Sequence, residues 1–111
     1  MSKEIKDVDV LQEYIKRIKT KAKHHAEEVG EVIFPLIGAI VWKCENIKCL
    51  EKDGDMKNVL WISVRDKKYA FSYNHDVKKI EMREGSIKGK VLHSFDNKNS
   101  VIDIINIFDN L

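Results

Sequence analysis

The chain has one proline, five glycines and two cysteines among 111 residues, so few that collagen-like, linker-rich and low-complexity architectures are excluded. Cys44 and Cys49 lie five positions apart, which in an extended strand sends their side chains to opposite faces. They read as reduced, buried thiols rather than a disulfide. Charge of one sign is also missing: 20 Lys and Arg stand against 18 Asp and Glu, a net charge of +2. That is below the basic balance of a dedicated nucleic-acid binder. The longest apolar run, Val32 to Trp42, is about half the length of a bilayer span and is interrupted by Pro35 and Gly38. The opening Met1-Ser2-Lys3-Glu4-Ile5-Lys6-Asp7 alternates in charge with no apolar signal region behind it, so a cytoplasmic protein without a membrane segment is expected.

What the chain does have is the composition of a folded domain, 43% apolar and 34% charged. At 12.9 kDa roughly two thirds of the unfolded chain's surface can be buried. Residues 1–111 are therefore expected to form a single globular domain around one core.

Leu11, Tyr14, Ile15, Ile18, Ala22, Ala26 and Val29 recur at spacings of three and four, predicting a helix of about twenty residues. Asp7 or Asp9 suits its start and Gly30 its end. The stretch Val32-Ile33-Phe34-Pro35-Leu36 reads as a buried entry segment, with Pro35 barring it from the middle of a sheet. A first strand is placed within 39–51 with its register open, followed by a turn at Asp53-Gly54.

The clearest hairpin is Asn58 to His75. With Asp66-Lys67 as its turn, Val64 faces Tyr69, Ile62 faces Phe71 and Leu60 faces Tyr73, one apolar and aromatic face. Val59, Trp61 and Ser63 then oppose Asn74, Ser72 and Ala70 on the other. A further pair runs Val77 to Glu84 and Lys90 to Phe95 across a turn at Gly85-Ser86, with Ile80 and Met82 inward.

Ser100-Val101-Ile102-Asp103 fits a capping box that opens a last helix. Val101, Ile104, Ile105, Phe108 and Leu111 form its expected core stripe. Ile102 and Ile107 fall outside that stripe and widen the apolar arc to about 220°, more than one sheet covers. The fold class is α+β: a long N-terminal helix, an antiparallel sheet of four to five strands and a C-terminal helix. A long helix leading into a small, strongly bent barrel is the rival architecture.

Asn58-Val59-Leu60-Trp61-Ile62, Tyr69-Ala70-Phe71-Ser72-Tyr73-Asn74 and the run from Gly85 to Asn97 resemble small integron gene-cassette proteins. The resemblance covers roughly residues 58–111. It implies a compact α+β protein of a bacterial mobile element, often oligomeric, and it carries no catalytic signature or functional residue to transfer.

Lys16, Arg17, Lys19, Lys21 and Lys23 place five cations in eight residues of the first helix, enough to attract phosphates. Helical geometry spreads them around the exposed face, and Glu13 is spaced to pair with Arg17. A solvated face is the stronger reading and a nucleic-acid contact the alternative.

Adjacent His24 and His25 diverge by about 100° and cannot share a metal without distortion. The spacing of His75, His93 and the cysteines matches no zinc pattern, so neither a metal nor any other cofactor is expected. Tyr73-Asn74-His75-Asp76 reads first as a self-bonded turn. Its functional alternative sets Tyr73 and His75 on one face, with His75 as a proton acceptor for a bound ligand. None of the serines or cysteines lies in a nucleophile motif, and Gly85-x-x-x-Gly89 is no phosphate loop, so an enzyme is not expected.

Surplus apolar surface is the strongest functional lead. Trp61, Ile102 and Ile107 exceed what a one-sided sheet hides, and such patches mark contact surfaces. The expected function is that of a non-catalytic interaction protein forming a homodimer through the sheet face around Trp61 or through the last helix. A small apolar ligand pocket lined by Tyr69, Phe71 and Tyr73 would accompany it.

Overall fold

The computed structural model describes residues 2–6, 8–25, 27–52 and 55–111, with side chains described at all of these except 2, 3, 21, 22, 24, 25, 51, 52 and 55–58. Its elements are β1 (Ser2–Glu4), α1 (Val8–His25), a 3-10 turn (Glu27–Val29), α2 (Ile33–Lys43), β2 (Asn46–Lys52), β3 (Asp55–Val64), β4 (Lys67–Asn74), β5 (Lys79–Glu84), β6 (Val91–Phe95) and α3 (Val101–Asp109). All strands join one antiparallel sheet in chain order, β1 to β6. The α+β class is as expected. The sheet has the five expected strands, β2 to β6, and a short sixth, β1, pairing with β2 at Ser2↔Leu50 and Glu4↔Lys48.

The N-terminal helix carries its predicted stripe: Tyr14 is buried, and Leu11, Ile15 and Ile18 are half-buried. Asp9 lies within its first turn, while Asp7 falls outside the described residues. The helix ends at His25, before Gly30, because the 3-10 turn intervenes and buries Val29.

Residues 33–43, expected as an entry segment and the start of a strand, form α2 instead. Pro35 fits in its first turn, where the missing N–H has no intrahelical partner to lose. Ile33, Leu36, Ala39 and Ile40 are its buried face. The first long strand begins only at Asn46. The expected Asp53-Gly54 turn lies outside the described residues.

The hairpin's apolar face is as expected, but its register is displaced by two residues. Ile62 pairs with Tyr69 and Leu60 with Phe71, while on the other face Trp61 pairs with Ala70. The turn is Arg65-Asp66, both left-handed at φ 52° and 67°, the two-residue geometry that matches strand twist. Tyr73 therefore does not face Leu60, and on the opposite edge of β4 it pairs with Ile80 of β5. In β5, Met82 is fully buried and Ile80 packs against the core, as alternation required.

The capping box is present in both halves: the Asp103 N–H donates to Ser100 Oγ at 3.0 Å and the Ser100 N–H to Asp103 Oδ2 at 3.2 Å. The helix it opens is rotated from the expected stripe. Ile104 and Phe108 are buried, and Ile107 and Leu111 pack against the core. Val101 and Ile105, expected inward, face solvent with Ile102. The core lies between the helices and one face of the sheet, where Phe71 meets Phe95 and Phe108 at ring-centre distances of 6.4 and 6.5 Å.

Candidate functional site

Two surfaces hold the sequence-predicted residues. The first is the outside of the helix layer. Asn97, in the β6–α3 connection, accepts at Oδ1 from the N–H groups of Glu31 and Val32, both at 2.9 Å, so α2 and α3 start side by side. Their C-terminal ends are joined by Lys43 and Asp109, 3.8 Å apart. Phe34, Val41 and Trp42 of α2 stand 48%, 53% and 54% exposed. On α3, Val101, Ile102 and Ile105 stand 56%, 68% and 43% exposed. Lys43 Nζ lies 4.8 Å from the Trp42 ring centre, and Lys19 Nζ lies 6.0 Å from that of Phe34. Of the expected contact residues, Ile102 belongs to this surface and Ile107 does not. Phe34, Val41 and Trp42 were missed because their helix was missed.

The second surface is the face of the sheet away from the helices. Trp61 is here, half-buried beside the fully covered Ala70. Next to it lies an open depression of about 380 Å³, bounded by Val59, Ser72, Tyr73 and Asn74, by His75 and Asp76 of the β4–β5 turn, and by Glu81, Arg83 and Ile87. Ser72 and Glu81 are direct cross-strand partners. Glu81 is nine-tenths buried, and its Oε1 accepts from Arg83 Nη2 at 2.8 Å and from Asn74 Nδ2 at 3.2 Å. Arg83 Nη1 donates to the Gly89 carbonyl at 2.9 Å, tying down the loop that carries Ile87. Gly89 is required there, since a Cβ would sit 1.8 Å from the Glu84 carbonyl oxygen.

The Tyr73-to-Asp76 segment makes the self-bonded turn, with the Asp76 N–H donating to Asn74 Oδ1 at 2.9 Å. Tyr73 and His75 do share an edge, stacked at right angles with centres 4.8 Å apart. Partial desolvation, then the Glu28 carboxylate, push the Tyr73 phenol up. Tyr69 and Phe71 are core residues, 6% and 4% exposed, and Phe71 stacks on Phe108.

On α1, Lys16, Lys19 and Lys23 are exposed, and Arg17 Nε donates to Glu13 Oε1 at 3.0 Å as its spacing foretold. The side chains of Lys21, His24 and His25 lie outside the described residues. Cys44 is half-buried and Cys49 buried, and neither is in a disulfide. Among the described residues no group of His, Cys, Asp and Glu is placed to hold a metal ion, and no helix is long and apolar enough to cross a membrane.

A helix-covered antiparallel meander with a polar depression on its open face defines a small α+β domain. A family model described as "Integron cassette protein VCH_CASS1 chain" matches residues 11–104, and the chain belongs to that integron cassette family. None of the curated proteins matches. The family match extends the likeness seen over residues 58–111 back through α1 and α2.

Proposed function

We propose that the protein is a non-catalytic interaction domain that forms a homodimer, with the outer surface of α2 and α3 as its contact. The observation that carries this reading is the apolar surface of six large side chains on two adjoining helices. Summed over the two helices they expose on the order of 600 Å², as much area as the largest patch usual on a monomer. A standard interface takes about 800 Å² from each partner, so these residues supply most of one. The sheet face around Trp61 supports self-association less well, because charged Lys48 pairs beside the indole and Arg83 lies one strand further.

Light scattering coupled to size exclusion tests the reading. The expected mass is twice the 12.9 kDa of one chain at tens of micromolar. Ile102→Lys and Trp42→Glu, each at a solvent-facing position, should return the chain to a monomer without loss of helix content. A monomer at that concentration overturns the proposal.

A further inference from the structure

We infer that the depression on the outer face of the sheet is a binding site for a small organic ammonium ion, a primary amine with a compact apolar body. The inference starts from the carboxylate at its floor. Burying a charge is tolerated when it is paired and hydrogen-bonded, and Glu81 achieves this through one oxygen only. Oε1 takes both bonds, from Arg83 and Asn74, and among the described residues no hydrogen bond reaches Oε2. No buried polar side-chain atom among the described residues is left without a partner, so Oε2 is the oxygen that solvent reaches from the depression. An acceptor at the bottom of a concavity is matched by a donor.

The charge balance selects the kind of donor. Glu81 and Asp76 line the depression against one guanidinium, that of Arg83, which gives one N–H of Nη2 to Glu81 and one of Nη1 to the Gly89 carbonyl. The next cation along β5, Lys79, is drawn to Asp96 at 4.0 Å. One negative charge therefore remains unbalanced, which disfavours a carboxylate or phosphate and favours a monocation. An ammonium group offers three donors, enough to reach Glu81 Oε2 and the Ser72 hydroxyl beside it. Val59 on one wall and Ile87 on the other supply apolar sides, and the Arg83 to Gly89 bond holds Ile87 in place. About 380 Å³ is at the small end of ligand sites and suits a single-ring amine.

The probe is 2-phenylethylamine, titrated into the millimolar range and followed by backbone amide shifts in the full chain. 3-Phenylpropionate and 2-phenylethanol serve as the anionic and neutral controls. We expect saturable shifts confined to Val59, Ser72, Glu81 and Ile87 with the amine alone. Asp76→Asn, an exposed change, should weaken binding about threefold. Glu81→Gln should weaken it about tenfold, provided circular dichroism shows a native fold. Binding of the alcohol or the carboxylate as strong as that of the amine, an affinity unmoved by Asp76→Asn, or no shifts at all overturns the inference. Dimer mass does not enter these readouts, so the site stands or falls independently of self-association.

Discussion

The Asn97 side chain accepts the Val32 N–H at 2.9 Å and so caps, from 65 residues away, a helix that has no cap of its own. The same oxygen accepts from Glu31, and the Asn97 Nδ2 donates to the Glu27 carbonyl at 2.8 Å. One amide thus closes the turn between α1 and α2 and anchors it to the start of α3.

Asn97→Ala leaves two N–H groups and a carbonyl to water at the edge of the core. Stability should fall by about 1–3 kcal/mol in chemical denaturation. Asn97→Asp keeps the acceptor and loses only the donor to Glu27, so it should recover part of that loss. Equal stability of the alanine variant and the parent would show that the cap is dispensable.

The hairpin turn offers a gain. Arg65 and Asp66 both occupy the left-handed region, where side chains are strained, and the Arg65 N–H that meets Glu45 Oε1 at 3.0 Å belongs to the backbone. Replacing the pair by Asn-Gly keeps that bond and should raise stability by roughly 1 kcal/mol. Asp66→Pro, which cannot reach φ 67°, should lower it. Thermal unfolding of the three chains in parallel checks both signs.

Burial pushes the Cys44 thiol from 9.0 up to about 12. Burial, and then the neighbouring Cys49, also raise the Tyr14 phenol. The unfolded chain ionises these groups at lower pH than the folded one does. Their contribution is therefore complete below pH 9.0 and lost as pH climbs toward 12. Unfolding free energy should decline across that window, and less steeply in Cys44→Ala. A flat profile in the parent would contradict the burial of both groups.

The parts of the fold legible in the chain were those whose signals are local. Alternation sorted the two faces of β3 to β5, and the Ser100/Asp103 box located α3 to the residue. What was missed depended on partners distant in sequence. The second helix is apolar on its exposed side as well as its buried one, through Phe34, Val41 and Trp42, which erases the period that would reveal it. Its cap comes from Asn97, which no scan upstream of Ile33 finds. The hairpin register turned on Arg65 entering a conformation that its residue type disfavours. The α3 stripe was ambiguous because two arcs share Ile104, Phe108 and Leu111, and in the fold it is Ile107 rather than Val101 that packs against the core. At the depression, Asn74, His75 and Asp76 stood out as a turn. Glu81, Arg83 and Ile87 join them only through the β4–β5 register and the loop pinned at Gly89.

The strand order that repeats the chain order also shapes how the molecule assembles. From β2 to β6 each ladder forms between neighbours joined by a short link, so the entropy of closing large loops is avoided while that part of the sheet grows. By contrast, β1 meets β2 only across residues 5–45. The long-range clasp at Asn97 forms only when the β6–α3 connection meets the α1–α2 turn. Folding kinetics should then show the β2–β6 hairpins zippering ahead of a slower docking of the helices, with lesions at the clasp retarding that final event and leaving the zippering untouched.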